Sequence, residues 1–243
     1  PFQRGLPVED FEVLARDVTH ILLSIPPDET GDPVHDEMAA EILNLPNLRW
    51  AGYLSTTGVY GDLDGGWVDE NSPYNPSGKR GVRRMQAEKA WMTLYENHGL
   101  PLHIFRLPGI YGPGRNQLVS LKSGKARRIA KPGQVFSRIH VSDLAAILKA
   151  SMERPNPGRI YNVADDEPAP PQDVVTFAAK LLNMPPPPLQ DFETADLSPM
   201  ARSFYNDSKR VRNDRIKSEL GISLKFPTYR EGLAALLPAE IGI

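Results

Sequence analysis

Three consecutive hydroxyl side chains, those of Ser55, Thr56 and Thr57, end the strand-like run LRWAGYLSTT, and Tyr60 follows in a glycine-containing turn. A hydroxyl at the end of a buried strand can hydrogen-bond a carbonyl or alcohol oxygen of a ligand, since it both donates and accepts. The alternative is that these hydroxyls only satisfy loose backbone groups where the strand ends. The stretch marks a candidate site but does not identify its ligand.

Two further apolar runs end in residues that suit a cleft. The run HILLSIPP ends in Ser24, Ile25 and Pro26, which are small or apolar and suit the face of a flat ring. The run LHIFRLPGIYG carries Arg106, followed by a backbone that turns tightly. Because ligands bind outside the carboxyl ends of parallel strands, we expect the three strand ends to form one cleft.

A parallel sheet is needed to bring these strand ends together, and the chain alternates strand-length apolar runs with helix-length amphipathic runs. The longest predicted helix is RGVRRMQAEKAWMTLYENHG, which ends at Gly99. Nearly continuous apolar strands joined by helices belong to a sheet covered on both faces. The sequence therefore predicts an α/β fold: a Rossmann-like doubly wound parallel sheet over 1–164, and a small mixed C-terminal lobe, interleaved with it, over 165–243.

The second half of the chain has a looser pattern. We predict a basic helix over QLVSLKSGKARRI, a strand over FSRIHV, a helix over SDLAAILKASMER that Ser142 or Asp143 opens, and a strand over RIYNVAD. Three more helices are predicted over PQDVVTFAAKLLNM, VRNDRIKSELG and YREGLAALLPA, with PPPP as a stiff extended connector.

Composition excludes several classes of function. The chain has no cysteine, and its five histidines lack a metal-binding spacing, so we expect no disulfide and no metal site. The formal net charge of -2 gives no overall attraction to nucleic acid. Without an apolar run of roughly 18 to 20 residues or a signal-peptide pattern, we expect no membrane span and a cytoplasmic location.

Four motifs, LSTTGVYGD, FRLPGIYGPGRN, SRIHVSDLA and YNVADDEP, resemble in their order and spacing the extended short-chain dehydrogenase/reductase superfamily of NAD-dependent epimerases and dehydratases. The resemblance covers nearly the whole chain. It implies an enzyme in which bound NAD or NADP exchanges hydride with a sugar-nucleotide-like or small carbonyl substrate. In this family the hydroxyl at Thr56 polarises the substrate oxygen.

The resemblance also implies roles for other residues. His140 and Asp143 are expected to anchor a strand and a helix. The implied cofactor contacts are Ser24, Ile25, Pro26, Ser55, Thr57, Arg84, Arg106, Pro108, Gly109 and Ile110. The implied substrate contacts are Arg80, Tyr111, Arg115, Asn116, Lys131 and Arg138.

The chain departs from the family pattern at the start of its long helix. Members carry a Tyr-x-x-x-Lys pair there, and the register that Pro76 and Glu88 set puts Arg80 and Arg84 in its place. Arginine stays protonated, so Arg80 cannot transfer the proton, while Arg84 could still bind ribose or phosphate. Tyr60 and Tyr111 remain as possible substitutes, and the alternative for each is a packing role. The alternative for the whole chain is a non-catalytic dinucleotide-binding sensor or complex partner.

Three further expectations concern the whole chain. The glycine-rich first strand-helix unit of the family is missing, so we expect roughly 40 to 60 residues before Pro1, the length of two such units. The basic clusters at 79–84 and 122–131 are either a solvated face or a site for a phosphate-bearing substrate. The long helix is a possible surface for a homodimer.

Overall fold

The protein is seen as a computed structural model that describes residues 4–5, 8 and 11–241. The helices are α1 (Phe11–Leu14), α2 (Pro33–Leu43), α3 (Lys79–His98), α4 (Gln117–Lys122), α5 (Val141–Glu153), α6 (Pro171–Leu181), α7 (Pro199–Ser203), α8 (Asp214–Leu220) and α9 (Tyr229–Ile241). The strands are β1 (His20–Leu23), β2 (Trp50–Thr56), β3 (Trp67–Val68), β4 (Leu102–Leu107), β5 (Gly109–Tyr111), β6 (Arg128–Ala130), β7 (Arg138–His140), β8 (Arg159–Asn162), β9 (Leu189–Asp191) and β10 (Arg210–Val211).

The main sheet has four parallel strands in the order β1-β2-β4-β8. Every residue of β4 is buried, as is most of β2, because helices cover both faces of the sheet. One apolar core joins the sheet to α2 and α3, and a second joins it to α5 and α8. The predicted doubly wound α/β fold is confirmed.

The run LHIFRLPGIYG forms two strands where one was expected. Pro108 has no amide hydrogen for a strand ladder, and it separates β4 from β5. Strand β5 then leaves the main sheet and pairs in parallel with β7. The register places Thr56 of β2 beside Leu107 of β4, so both strands end at the same edge, where β5 begins.

Helices α4, α6 and α9 pack together around a third apolar core that includes Leu118, Val175 and Leu233. The basic segment is only partly helical, because α4 ends at Lys122 and the chain reverses at Gly124 with φ of 68°. Residues 128–130 then form β6, which pairs with β9. These elements form one unit beside the main sheet, which we call the C-terminal lobe. It includes residues 117–130, which lie before the predicted boundary at residue 165, and the predicted domain bounds stay a prediction.

Helix α3 agrees with its predicted length and ends at Gly99, whose φ of 72° is the left-handed conformation that glycine adopts readily. Its first turn lies against the turn that follows β2, since a Cβ on Gly81 would stand 2.7 Å from the Gly58 carbonyl oxygen. Trp91 is fully buried in the sheet core. The homodimer surface on this helix stays a prediction.

Within residues 4–5, 8 and 11–241, no helix is both long enough and apolar enough to cross a lipid bilayer. The same residues contain no group of three or more histidine, cysteine, aspartate or glutamate side chains that could hold a metal ion.

Candidate functional site

A cleft of about 1040 Å³ lies at the carboxyl ends of β2 and β4 and continues along β5 and the C-terminal lobe, and we call it the main cleft. Two of the predicted strand ends contribute to it. Predicted site residues that line this main cleft are Thr56, Thr57, Arg80, Pro108, Gly109, Ile110, Arg115 and Arg138. The sequence therefore located the cleft, and the roles assigned to these residues stay predictions.

Thr56 is the last residue of β2 and opens the 3-10 turn Thr57–Tyr60. Its Oγ1 accepts a hydrogen bond from the Gly58 amide at 3.1 Å, which fixes the rotamer. A hydroxyl that accepts through one lone pair keeps its own hydrogen free to donate. Thr56 therefore presents a positioned donor to the cleft.

Arg80 and Arg84 occupy the first turns of α3 and differ in position. Arg80 is exposed and lines the main cleft. Arg84 is half-buried and does not line it, because its Nη1 donates to the Leu54 carbonyl at 2.7 Å and to the Tyr53 hydroxyl at 3.0 Å. Arg84 thus ties α3 to β2, and a cofactor contact by its other nitrogens stays a prediction.

A closed network of buried polar groups lies beneath the cleft and is centred on Glu88 and Arg106, which are 0% and 1% exposed. Arg106 donates from Nε to both Glu88 oxygens at 3.2 Å and from Nη2 to Oε2 at 2.8 Å. The Ser55 hydroxyl donates to Glu88 Oε1, and Tyr74 donates to Oε2 at 2.8 Å. Arg106 therefore directs its guanidinium into the protein interior.

Tyr60 completes this network. Its hydroxyl donates to Asn162 Oδ1 at 2.7 Å and accepts from Arg106 Nη1 at 2.9 Å. Every guanidinium nitrogen of Arg106 is thus used inside the protein. Burial raises the pKa of Tyr60 to about 12, and only 1% of the residue is exposed. The Tyr60 hydroxyl therefore faces the network and does not line the main cleft.

Three predicted site residues are directed away from the main cleft. The polar groups of Ser55, Tyr60 and Arg106 are enclosed in the network around Glu88, and none of the three lines the cleft. Their roles in catalysis and cofactor binding stay predictions. Sequence reasoning placed them at the strand ends correctly. It did not show which face of the sheet each side chain occupies. Ser55 and Arg106 are paired across β2 and β4, and both lie on the face that α3 covers, where they contact Glu88.

Lys131 also lies away from the main cleft. Its ammonium donates to the Tyr205 carbonyl and lies 5.2 Å from the centre of the Phe192 ring, and it does not line the main cleft. It therefore holds the segment that follows β9. A substrate contact by Lys131 stays a prediction.

Tyr111 and Asn116 line a smaller cavity beside the main cleft. Asn116 caps α4 by accepting from the Val119 amide at 3.1 Å, and its Nδ2 donates to the Gly112 carbonyl and to Glu240, each at 2.9 Å. Its hydrogen-bonding groups are engaged, so it shapes the wall. Burial raises the pKa of Tyr111 above its ordinary range, which leaves it protonated at neutral pH.

Ser24, Ile25 and Pro26 follow β1 at the same edge of the sheet, because Leu23 pairs with Tyr53 of β2. They do not line the main cleft. Their contact with a cofactor stays a prediction.

His140 and Asp143 anchor the elements that were expected of them. His140 Nδ1 accepts from the Ser142 amide at 3.1 Å and caps α5, so the helix begins one residue before the predicted start. The Asp143 carboxylate accepts from the amides of Lys225 and Phe226 at 2.7 and 3.0 Å. This prediction is confirmed.

Positive charge dominates the main cleft although the whole chain carries a net charge of -2. Asp207 is the one acidic residue among the described lining residues. The cationic ones are Lys79, Arg80, Arg115, Lys125, Arg127, Arg138 and Lys209. Cations that surround one cavity attract phosphate or carboxylate groups.

The sequence analysis missed the contribution of residues 197–211 to this cleft. Met200 and Phe204 are 57% and 58% exposed and line it, next to Tyr205. Lys209 donates to the Gly61 carbonyl at 2.7 Å and to Asp207 at 3.2 Å, and burial lowers its pKa. The available signal was that the short segment MARSFYNDSKR combines apolar, aromatic and basic residues.

The described residues offer space for the flat ring of a nicotinamide. Gly109 is exposed on β5, and a Cβ at this position would meet only the Ser137 carbonyl oxygen, at 3.8 Å. The bare backbone of β5 therefore faces open space beside Thr56 and Pro108 in the cleft. The cationic lining fits the phosphates of a dinucleotide.

Comparison with known proteins gives consistent results. Residues 40–164, more than half of the chain, match the model of the family described as NAD dependent epimerase/dehydratase. Protein YeeZ of Escherichia coli strain K12 is 29% identical over 177 residues, which cover 72% of this chain. The match spans 58% of YeeZ, less than two thirds of its length.

Two solved structures have the same fold. A functionally unknown conserved protein from Silicibacter pomeroyi DSS is 57% identical with a TM-score of 0.86, over 91% of this chain and 78% of that one. The dTDP-glucose 4,6-dehydratase from Bacillus anthracis, solved in complex with NAD, is 20% identical with a TM-score of 0.74, over 94% of this chain and 74% of that one.

Proposed function

The chain belongs to the NAD dependent epimerase/dehydratase family, and from that premise we propose that it binds NAD or NADP and acts as an enzyme on an anionic, sugar-nucleotide-like or small carbonyl substrate. The observation that carries the proposal is the main cleft, which Thr56, Arg80 and the open backbone of Gly109 line together. The bound dinucleotide would supply hydride acceptance and donation.

Thr56 polarises the substrate oxygen in this proposal. Its hydroxyl hydrogen is free for that oxygen because the Gly58 amide already occupies one lone pair. A donor fixed before the substrate arrives stabilises negative charge that develops on the oxygen without reorganising.

Arg80 contributes charge and does not transfer a proton. It lies at the exposed start of α3 and lines the same cleft as Thr56. An arginine stays protonated through the reaction, so its contribution is electrostatic attraction for an oxyanion or a phosphate. In this proposal Thr56 and Arg80 stabilise the substrate oxygen, and a group other than Arg80 transfers the proton.

The main cleft also suits the size and charge of a nucleotide-bearing substrate. Its volume of about 1040 Å³ lies at the upper end of ordinary ligand pockets. Arg127 and Lys125 lie on the side of the C-terminal lobe, where the exposed Phe204 and Met200 offer apolar surface to a ring. The dehydratase from Bacillus anthracis is named for a dTDP-sugar, which supports this substrate class.

Turnover of nucleotide sugars tests the enzymatic proposal. The natural full-length protein, saturated with NAD, is incubated with dTDP-glucose, UDP-glucose or UDP-glucuronate, and products are followed by NMR. Thr56→Val should lower the rate by about 10²- to 10³-fold, the usual effect of removing one preorganised donor. Ala146→Val, on an exposed position of α5, is the matched control and should keep the rate. A Thr56→Val rate equal to that of the wild type would remove Thr56 from the chemistry.

The second candidate function is a dinucleotide-binding protein without turnover. The enclosure of Tyr60 favours it, because the hydroxyl of the tyrosine that follows Thr56 in the turn is hydrogen-bonded inside the protein and is not directed into the cleft. The double change Arg80→Tyr with Arg84→Lys distinguishes the two. A gain of turnover favours an enzyme that uses the usual pair, whereas NAD binding with no turnover in either protein favours the binding function.

A further inference from the structure

A second cavity of about 240 Å³ opens beside the main cleft. The two cavities share Gly109, Ile110, Arg115, Gln117 and Arg138. Its other walls come from β5, α4, α6 and α9, which contribute Tyr111, Asn116, Ser120, Val174, Tyr229 and Leu233. We call this cavity the side pocket. It leads from the open backbone of β5 toward the core of the C-terminal lobe.

Arg138 is the charged group on the wall between the two cavities. Its Nη1 donates to the Phe136 carbonyl at 2.8 Å and to the Ala169 carbonyl at 3.3 Å. In the described part of the chain, no hydrogen bond uses its Nε or Nη2. These two nitrogens form the edge of a guanidinium that pairs side-on with a carboxylate or phosphate.

Asp165 lies beside Arg138, but its carboxyl group forms no hydrogen bond with the guanidinium. The Asp165 amide donates to the Arg138 carbonyl at 2.7 Å, yet neither carboxyl oxygen of Asp165 has a partner among the described residues. Burial raises the pKa of Asp165 to about 8, and it lowers that of Arg138. The guanidinium stays protonated at neutral pH, and its Nε and Nη2 remain available to an anion.

The side chain of Asn116 in the side pocket is already hydrogen-bonded within the protein. The Glu240 carboxylate accepts one hydrogen bond from Asn116 Nδ2 at 2.9 Å and one from the Gly114 amide at 2.8 Å. Arg115 is exposed at the opening and adds a second positive charge. An entering anion would therefore find cationic donors without displacing an internal ion pair.

The volume limits what the side pocket can hold. Pockets for drug-sized ligands have about 300 to 1000 Å³, so about 240 Å³ suits a few carbons and one anionic group. A nucleoside diphosphate needs the main cleft. The side pocket thus suits the end of the substrate opposite the nucleotide.

We propose that the side pocket binds an anionic group, either a carboxylate or a phosphate, at the sugar or carbonyl end of the substrate. Arg138 is the principal residue that binds this group, and Arg115 lies at the opening of the pocket. This inference rests on the proposed function in that the main cleft receives the rest of the substrate. It narrows the substrate class to acidic or phosphorylated sugars and comparable small acids.

Binding of small probes to the natural full-length protein tests the side pocket without any need for turnover. D-glucuronate, D-glucose 6-phosphate and neutral D-glucose are titrated by ligand-observed NMR, with and without NAD. At least one anionic probe should bind about tenfold or more tightly than glucose, as expected for a charge-assisted hydrogen-bonded pair. The better of the two anions identifies a carboxylate or a phosphate as the preferred group.

Variants assign that preference to Arg138. Arg138→Met should make the anionic probe bind no better than glucose, and Arg138→Lys should keep part of the preference because it keeps the charge. Arg49→Met is the control, since Arg49 is exposed and lines neither cavity. Thermal unfolding and NAD titration of each variant separate loss of the subsite from loss of the fold or of the cofactor site.

Equal binding of anionic and neutral probes to the wild type would overturn the inference, as would a preference that survives in Arg138→Met. Failure of NAD to bind would contradict the proposed function and leave the probe result unaffected. The two proposals therefore fail separately.

Discussion

At the scale of single residues, the ion pair between Glu88 and Arg106 is the most enclosed charged contact in the described part of the chain. Burial of two charges is costly, and here the cost is offset by hydrogen bonds from Ser55 and Tyr74 to the carboxylate and from the guanidinium to Tyr60. The network joins Ser55 of β2, Arg106 of β4 and Glu88 of α3 beneath the main cleft. It therefore fixes the relative positions of the three elements that carry the site.

Glu88→Ala should lower the free energy of unfolding by about 3 to 5 kcal/mol, because it leaves the Arg106 guanidinium buried without its partner. Urea unfolding measures the loss. Glu153→Ala is the control, since its pair with Lys149 is 63% and 76% exposed and should contribute about 0.3 to 0.5 kcal/mol. A loss in Glu88→Ala no larger than that of the control would mean that Arg106 reaches solvent.

The buried carboxyl of Asp165 predicts a pH-dependent stability. Burial raises its pKa from 3.8 to about 8, so the folded chain holds this proton at pH values where the unfolded chain releases it. The stabilisation is complete below about pH 4 and is lost as the pH rises toward about 8, with a slope of at most about 1.4 kcal/mol per pH unit.

Asp165→Asn should remove this dependence, because asparagine does not titrate. The difference in the free energy of unfolding between variant and wild type should therefore grow in favour of the variant from pH 5 to pH 8. Asp17→Asn, at an exposed position, should show no such trend. A constant difference for Asp165→Asn across this range would show that Asp165 ionises at its ordinary pKa.

At the scale of elements, the approach of α3 to the turn after β2 sets the geometry of Thr56. Gly81 permits this approach, since a Cβ there would meet the Gly58 carbonyl oxygen at 2.7 Å and the Pro76 Cβ at 2.9 Å. Both contacts are shorter than a side chain tolerates, and the nearer one is to backbone. The helix and the turn therefore form one unit.

Gly81→Ala should destabilise the protein although alanine is favoured in helices by about 1 kcal/mol. The reason is that the turn must move to admit the Cβ, and thermal unfolding would record a lower midpoint. Gly78→Ser is the comparison, because a Cβ at the N-cap position finds no atom within 4 Å and serine is a preferred cap. An increase in the midpoint for Gly81→Ala would mean that the turn yields at little cost.

Elements with strong periodicity could be predicted from the sequence, and short ones could not. The strands that become β1, β2, β4 and β8 were recognised because a buried parallel sheet requires nearly continuous apolar runs. Strands of two or three residues such as β3, β6, β9 and β10 carry no period, and tertiary pairing decides them. Residues 128–130 consequently became a strand where a helix was expected.

The candidate site was predictable in place but not in detail. The strand-end rule located Thr56 and Gly109 at one cleft, as the structure has them. The enclosure of Tyr60 and Ser55 depends on Glu88, which lies 33 positions after Ser55 and which no local pattern placed beneath them. The side pocket depends on α9, whose packing on α4 and α6 joins distant parts of the chain.

At the scale of the whole molecule, charge is distributed unevenly. The chain carries a net charge of -2, yet its main cleft is lined by seven cationic residues and one acidic residue among those described. Such a field draws anionic ligands toward one cavity. The match of residues 40–164 to a NAD-dependent family supports a dinucleotide as one of these ligands.

Titration of the natural full-length protein with NAD, NADH, NADP and NADPH tests this central claim most directly, with ATP as the control nucleotide. Fluorescence of the reduced cofactors and thermal unfolding report binding. We expect saturable binding of one cofactor pair and, at a concentration about 100 times its Kd, a stabilisation of about 2.7 kcal/mol. If the folded protein binds none of the four, or binds them no better than ATP, the account of the cleft as a dinucleotide site is contradicted.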